Sequence, residues 1–146
     1  MIRRETASDG AIVVRWERGD YRVASPAPGF VAGRLVGYGT EEVAEAIIQD
    51  FTPLFPEGKK THLFADWYEM TGYDSRARFV LTDWMLDLRP RVGECHFLVK
   101  SRLVAMGVAV ANIALGGLFR ITSDKAAYRR AHDAALGRAR RGAPAR

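Results

Sequence analysis

Cysteine and histidine are scarce in this chain, and their scarcity limits its chemistry. Among 146 residues there are one cysteine, Cys95, and three histidines, His62, His96 and His132. A single cysteine excludes an internal disulfide framework and a cysteine-rich zinc site. The histidines are scattered along the sequence, and no spacing typical of metal ligands links them. We therefore expect no bound metal ion and no cofactor.

Long apolar runs are also missing. The longest, residues 103–115, contains 13 residues, whereas a helix needs roughly 20 to cross a bilayer. Residues 1–5 read Met-Ile-Arg-Arg-Glu and lack the apolar core of a secretion signal. These absences predict a cytoplasmic protein without a membrane span.

The motifs of common enzyme classes are absent as well. The sequence contains no Gly-x-Ser-x-Gly nucleophile elbow and no Walker loop. Cys95 and His96 are sequence neighbours, but consecutive strand residues point to opposite faces, which disfavours a catalytic pair. The carboxylates of Asp66, Glu69 and Asp74 lack the spacing and glycine of a calcium loop. We expect a non-enzymatic protein with no catalytic residues.

The positive charge is concentrated at the C-terminus. The net charge is +5, and four arginines lie among the last ten residues together with glycine and proline. Without these four arginines the remaining net charge is about +1. This distribution favours a solvated tail over a nucleic-acid-binding surface. We predict one domain over residues 1–136, a flexible basic tail over residues 137–146, and no nucleic-acid partner.

Apolar periodicity and turn residues predict an α/β fold. The chain divides into strands and helices in the order β-β-β-α-β-α-β-α-β-α. Such alternation is typical of a mainly parallel sheet with helices packed on it, so we predict a single mixed, mainly parallel sheet. The predicted strands cover residues 11–16, 21–24, 30–36, 63–65, 96–100 and 118–122, with a break over 25–29 and a loop over 67–73. The predicted helices begin at Thr40, Asp74-Ser75, Ser101 and Ser123-Asp124, and the last ends near Leu136.

The helix predicted over residues 103–115 is apolar on nearly every side. It is rich in valine, alanine and methionine, and such a helix is usually buried on more than one face. We expect Met106, Val108, Val110 and Ile113 to lie in the core or in a homodimer seam. A lipid-binding groove is the alternative.

Residues 66–75 carry the clearest functional signal. An apolar strand ends at Asp66, a loop follows, and a helix begins at Asp74-Ser75. The Ser75 hydroxyl is thereby placed at a helix N-terminus, where unpaired backbone N–H groups and the macrodipole favour negative charge. A phosphate there would change the local electrostatics sharply. Ser75 is either a phosphoacceptor or, like Asp74, a plain helix cap.

Three short motifs occur in a fixed order along the chain. Asp66 is followed eight positions later by Asp74-Ser75, Leu35-Val36-Gly37 ends a strand, and Gly117-Leu118-Phe119 begins the last strand. With the element order, these motifs resemble the STAS domain, the module of anti-sigma factor antagonists and of the cytoplasmic ends of sulfate transporters. The resemblance covers about residues 30–136 and implies the fold predicted above.

The resemblance also implies a function, although Arg76-Ala77 replace the Ser-Gly that follows the phosphoacceptor in that family. It implies a regulatory module that binds an anti-sigma-type kinase or a larger signalling scaffold and is switched by phosphorylation at Ser75. The surface for that partner would consist of Asp66, Trp67, Tyr68, Tyr73, Asp74, Arg76 and Arg78. The three aromatic residues of this set would alternatively form a lid on the core.

Two other functions remain open at the level of sequence. One is a small-molecule or lipid-binding carrier that uses the apolar helix over residues 103–115. The other is a structural subunit that associates with a second copy of itself, as a homodimer, through the same helix.

Overall fold

One mixed sheet organises the chain. A computed structural model describes residues 1–142, and every statement about the structure below refers to these residues. The strands are β1 (Arg3–Thr6), β2 (Ile12–Trp16), β3 (Gly19–Ala27), β4 (Phe30–Gly39), β5 (Thr61–Trp67), β6 (Met70–Tyr73), β7 (Val92–Val99) and β8 (Phe119–Thr122). The helices are α1 (Glu41–Phe51), α2 (Ser75–Leu88), α3 (Arg102–Ala114) and α4 (Lys125–Arg140), with short 3-10 turns at Thr52–Leu54 and Arg89–Arg91.

The strand order confirms the predicted single mixed sheet. The path across it is β1-β2-β3-β4-β5-β7-β8, and β6 pairs with the end of β4. Strands β1 to β4 form an antiparallel meander. Every pairing of β4 with β5, β4 with β6, β5 with β7 and β7 with β8 is parallel.

The helices divide between the two faces of the sheet. Side chains alternate along a strand, so in β5 Leu63 and Ala65 point to one face and Phe64 to the other. The first face packs against α1, α2 and α3 and carries the larger apolar core. The second face packs against α4, where Phe64 is buried with Phe30 and Leu98.

Side-chain caps begin three of the four helices, as predicted. Thr40 Oγ1 accepts a hydrogen bond from the Val43 amide at 3.2 Å, and Ser101 Oγ accepts one from the Val104 amide at 3.3 Å. Asp124 Oδ1 accepts from the first-turn amides of α4. These bonds satisfy N–H groups that have no partner within the helix.

Two strands were not predicted, and one predicted break is absent. Strand β1 precedes the predicted hairpin, and β6 occupies residues where a loop was predicted. Both strands have four residues, too few for a clear alternation of apolar and polar side chains. Strand β3 continues to Ala27 through the predicted break, with a register shift between Ala24 and Ala27. Pro26 lies in that irregular stretch, where a proline is tolerated.

The last helix is longer than predicted. It was expected to end near Leu136, but α4 continues to Arg140. Ala139 is buried against the sheet, and Arg138 Nη2 donates to Glu94 Oε2 at 2.9 Å. Residues 137–140 of the predicted flexible tail are therefore helical, because they add contacts with the sheet. Residues 143–146 lie outside the described part of the chain.

Of the residues of the apolar helix expected in the core or in a homodimer seam, Val108 lies in the core, whereas Met106, Val110 and Ile113 are exposed in the single chain. The seam stays a prediction. Helix α3 buries Val104, Gly107, Val108 and Ala111 against the rest of the domain. Its opposite side is exposed to solvent within the described chain. The helix is therefore buried on one face, although its composition is apolar throughout.

Candidate functional site

The N-terminal end of α2 presents Ser75 to solvent. Asp74 occupies the N-cap position, and Ser75 is the first residue of the helix. The Ser75 side chain is exposed. The alternative that Ser75 is a plain cap does not hold, because the cap position belongs to Asp74. The assignment of Ser75 as a phosphoacceptor stays a prediction.

Asp74 connects the start of α2 to the start of α1. Its Oδ1 accepts a hydrogen bond from the Tyr38 hydroxyl at 2.9 Å, and its Oδ2 accepts one from the Glu41 amide at 3.3 Å. The hydrogen bond to Asp74 raises the pKa of Tyr38. The carboxylate thus lies at the N-terminus of α1, where negative charge is favourable. It forms no capping hydrogen bond with α2.

Two arginines follow Ser75 on the first turn of α2. Arg76 Nη2 lies 3.4 Å from Glu41 Oε2 in an exposed ion pair. The guanidinium carbon of Arg78 lies 4.6 Å from the centroid of the Phe79 ring. Exposed ion pairs contribute about 0–1 kcal/mol to stability, and cation–π contacts at exposed sites about 0.5–1 kcal/mol. Either guanidinium can therefore turn towards a new anion at small cost.

The structure separates the aromatic residues predicted to share one surface. Trp67 packs edge-on against Phe97, with ring centroids 4.8 Å apart, on the side of α1 to α3. Tyr73 lies on the same side, and its hydroxyl donates to the Leu103 carbonyl at 3.4 Å. Tyr68 lies on the opposite face of the sheet, next to α4. Both Trp67 and Tyr73 are half-buried against the core.

Asp66 and Tyr68 line a polar crevice on the α4 side. Asp66 Oδ1 accepts a hydrogen bond from the Tyr68 amide at 3.1 Å, and Asp66 Oδ2 lies 3.8 Å from Arg34 Nε. The Lys125 ammonium lies 4.2 Å from the centroid of the Tyr68 ring. The crevice has a volume of about 190 Å³ and also contacts Arg129. The predicted site residues are therefore divided: Asp66 and Tyr68 face α4, whereas Asp74, Ser75, Arg76 and Arg78 lie at the start of α2.

Exposed apolar side chains lie beside Ser75. Phe79 is 53% exposed and lies one helical turn after Ser75. Leu103, at the start of α3, is 54% exposed, and its backbone carbonyl accepts a hydrogen bond from the Tyr73 hydroxyl. Phe79 was not among the predicted site residues. Its spacing of four from Ser75 is the signal that would have identified it.

A small apolar cavity lies beneath α1, α2 and α3. Its volume is about 90 Å³, and its wall includes Leu35 of the sheet, Ile47 of α1, Met85 of α2 and Val108 of α3. A cavity of about 150 Å³ is large enough to admit benzene. At about 90 Å³ this cavity is smaller than that, so in this conformation it has no room for an acyl chain.

A buried carboxylate joins the meander to α1. Asp50 is 7% exposed and accepts hydrogen bonds from the Tyr21 hydroxyl and from Arg4 Nε, the latter at 3.2 Å. Burial, followed by the hydrogen bond to Asp50, raises the pKa of Tyr21. Sequence reasoning missed this group. Asp50 lies three residues after Ile47 on the apolar stripe of α1, a position at which a carboxylate must be paired.

All three histidines lie between α4 and the sheet. The His96 ring stacks on Phe64 with centroids 4.4 Å apart, and the His132 ring lies 5.4 Å from Phe64. The Glu94 amide donates to His62 Nδ1 at 2.8 Å, and His96 Nε2 lies 3.0 Å from Glu94 Oε1. The sequence separates these histidines widely, so their convergence depends on the pairing of β5 with β7 and on the packing of α4 against the sheet.

Cys95 and His96 face opposite sides of the sheet, as the alternation of strand residues predicts. Cys95 is fully buried in the core beneath α1 to α3, and burial raises the pKa of its thiol. In residues 1–142, no group of three or more His, Cys, Asp or Glu side chains is arranged to hold a metal ion. None of the helices in these residues is long and apolar enough to cross a membrane.

Comparison of the fold with solved structures gives two informative neighbours. One is an uncharacterized Shewanella loihica protein of the DUF3478 family, which has a SpoIIAA-like fold. The TM-score of that match is 0.55 and the sequence identity is 17%, and the match covers 94% of this chain and 93% of that one. The other is the Bacillus cell fate determinant SpoIIAA in its phosphorylated form, with a TM-score of 0.56 and 18% identity. That match covers 76% of this chain and 98% of SpoIIAA.

Comparisons at the level of sequence add nothing to this result: no protein-family model matches the chain, and no curated protein matches it. The structural matches carry low identity, so they establish the architecture and leave the function open. The chain has the SpoIIAA-like fold, the fold of STAS domains and anti-sigma factor antagonists.

Proposed function

We propose that this chain is a non-enzymatic regulatory module that binds a protein partner at the start of α2 and releases it when Ser75 is phosphorylated. The observation that carries the proposal is the exposed Ser75 in the first turn of α2. The similarity to SpoIIAA, whose structure was determined in a phosphorylated form, supports the same assignment. The partner class is an anti-sigma-type kinase or a signalling scaffold, and the site of action is the cytoplasm.

The chemistry around Ser75 supports a docking surface that responds to charge. Phe79 and Leu103 supply exposed apolar area, and aromatic and arginine side chains are favoured anchors at protein interfaces. A phosphate on Ser75 carries a charge of about −1.5 to −2 at neutral pH. It would lie beside Asp74 and would draw Arg76 and Arg78 away from a partner. Docking would therefore be weakened by charge and by the loss of two donors.

Because the predicted partner-binding residues lie on two sides of the sheet, the proposed docking surface includes only some of them. Asp74, Ser75, Arg76 and Arg78 belong to one docking surface, with Phe79 added. Trp67 and Tyr73 pack against the core next to this surface. Asp66 and Tyr68 lie on the other side of the sheet, so a partner that also contacts them would have to wrap around the edge of the domain.

The test compares two substitutions at Ser75 with a control substitution that adds the same negative charge to a different helix. Wild type, Ser75→Ala, Ser75→Asp and Ala126→Asp would serve as baits for proteins of the native host. Ala126 is also an exposed first-turn residue, but it belongs to α4. We expect a specific partner to be retained by wild type, Ser75→Ala and Ala126→Asp and lost with Ser75→Asp.

Thermal melting of the same variants separates docking from stability. Because Ser75 is an exposed first-turn residue and not the cap, both substitutions should change stability by less than about 0.5 kcal/mol. A partner that binds Ser75→Asp as well as wild type would refute the switch. A partner lost equally with Ala126→Asp would place the docking surface elsewhere.

The apolar cavity supports a second candidate function, that of a carrier for a small apolar molecule. Its wall is formed by side chains of three helices and the sheet. Native mass spectrometry of the protein purified from its host would test this function. A stoichiometric apolar adduct that disappears when Val108→Trp fills the cavity would support it. Bare protein would leave the docking function as the better account.

A further inference from the structure

The solvent face of α3 carries almost no polar group. Its exposed residues after Arg102 are Leu103, Met106, Ala109, Val110, Ile113 and Ala114. Ile113 is 81% exposed and Met106 is 65% exposed. The exposed residues of α1, by contrast, are Glu42, Glu45 and Gln49. An apolar helix face of this kind marks an interaction surface.

The spacing of these side chains fits a helix partner. Leu103, Met106, Val110 and Ile113 follow one another at intervals of three, four and three residues. This is the spacing of a and d positions in a seam between two packed helices. Ala109 and Ala114 beside the seam are small and allow close approach of a second backbone.

Charges on the adjacent helix select the orientation of the partner. Helices α2 and α3 lie on the same face, and each connects neighbouring parallel strands, so they run in the same direction. The exposed stripe of α2 is basic at its start, with Arg76, and acidic further along, with Asp83 and Asp87. Phe79 and Leu86 lie between them and are partly exposed. An antiparallel copy of this stripe would place Arg76 opposite Asp87, whereas a parallel copy would oppose like charges.

We propose that this face forms a twofold homodimer in which α3 packs antiparallel on the α3 of a second copy and α2 on its α2. A self-complementary patch of this type matches the commonest symmetry of protein oligomers. A membrane surface fits the same face less well. Helices that bind anionic lipid carry lysine and arginine beside the apolar stripe, whereas here the flanking charges of α2 include Asp83 and Asp87.

The homodimer goes beyond the proposed docking function and does not depend on it. Arg76, Phe79 and Leu103 belong to both surfaces, so dimer and partner complex exclude each other. Substitutions in the second half of α3 distinguish the two, because they lie away from Ser75.

The test measures the mass of the native chain in solution and then its symmetry. Light scattering after gel filtration at about 100 µM, well above the micromolar Kd of a weak interface, should give the mass of a dimer. Ile113→Glu should convert it to a folded monomer, since Ile113 contributes little to the core. Ala134→Glu, a change at an exposed position of α4, should leave the dimer intact.

Cysteine cross-linking then tests the antiparallel arrangement. Native Cys95 is fully buried and does not interfere. In an antiparallel seam Ala109→Cys, near its centre, should form an intermolecular disulfide on oxidation. Leu103→Cys should not, because the two copies of position 103 are separated by about 15 Å, beyond disulfide reach.

Three results would overturn the proposal. A wild-type monomer at this concentration would refute it. So would a dimer that Ile113→Glu leaves intact, or efficient cross-linking through Leu103→Cys. A monomer that binds vesicles of anionic phospholipid would assign the face to a membrane instead.

Discussion

Gly107 is the residue that allows α3 to lie against β6. A Cβ atom at this position would lie 2.3 Å from the Tyr73 hydroxyl oxygen and 2.6 Å from the ring carbon that bears it. Contacts under 3.0 Å cannot be accommodated without a shift of the ring or of the helix. The half-buried ring of Tyr73 and the glycine therefore form one packing unit next to the start of α2.

Substitution of Gly107 by alanine should destabilise the domain. Overpacking typically costs about 1–3 kcal/mol, which exceeds the gain of up to ~1 kcal/mol that alanine brings to a helix interior. Gly137 provides a matched control, because a Cβ there would meet only the flexible end of Arg141, at 3.3 Å. Gly137→Ala should therefore stabilise the domain. Chemical denaturation of both variants measures the difference, and equal effects would contradict this account of Gly107.

At the scale of single residues, the start of a helix was predictable from neighbouring residues, whereas the pairing of a buried polar side chain was not. The start of α2 at Asp74-Ser75 was predicted correctly because the spacing from Asp66 and the apolar residues that follow are local features. The role of Ser75 stays a prediction. Asp50 was missed because its partners, Arg4 and Tyr21, are distant in sequence and meet it only after the meander packs on α1. Pairing of this kind is set by tertiary structure, which periodicity does not encode.

At the scale of elements, ion pairs and hydrogen bonds around the Glu94 carboxylate connect α4 to the sheet. Glu94 of β7 lies at the centre, with Arg138 of α4 at 2.9 Å, Arg120 of β8 at 3.3 Å and His96 at 3.0 Å. Burial alone would raise the pKa of Glu94, but the hydrogen bond with His96 and the neighbouring positive charges hold it below its ordinary value. Burial lowers the pKa of His62, whose Nδ1 accepts a hydrogen bond from the Glu94 amide.

These shifts predict that acid weakens the domain in two stages. The pKa of His62 is lower in the folded chain than its ordinary value of 6.5, so below that pH the unfolded chain binds more protons and stability falls. A second loss follows as Glu94 is protonated, because its folded pKa is also depressed. Because the folded pKa of Glu94 lies below its ordinary value of 4.5, denaturation must be followed from pH 7 to about pH 3 to measure both stages.

A variant at position 62 isolates the first stage. His62→Asn keeps an acceptor for the Glu94 amide, because an asparagine Oδ1 can take the place of Nδ1, but removes the titrating ring. We expect its stability to change less between pH 7 and pH 5 than that of wild type. An unchanged pH dependence would show that His62 does not contribute.

Elements with strong local signals were predicted correctly, and short ones were not. Helices α1, α3 and α4 begin at caps that the sequence specifies. Strand β6 was missed because it has four residues and contains Gly72, so its identity depends on pairing with β4. Helix α4 extends beyond Leu136 because Arg138 and Ala139 contact the sheet. No local feature of the sequence predicts those contacts.

At the scale of the whole molecule, the sheet separates two surfaces that the sequence places together. Asp66 and Ser75 are close in the chain, yet they lie on the α4 side and at the start of α2, respectively. The order of elements was sufficient to predict the fold, because parallel strands joined by helices allow few arrangements. Which of the predicted site residues share a surface could not be predicted, since it depends on the face that each side chain of residues 66–73 occupies.

The central claim is that charge at Ser75 controls docking of a protein partner at the start of α2. The most direct test is the Kd of the captured partner for the chain carrying phosphoserine at position 75, compared with the unmodified chain by titration calorimetry. We predict binding at least about tenfold weaker for the phosphorylated chain, a difference of ~1.4 kcal/mol. Equal affinity for the two forms would contradict the claim.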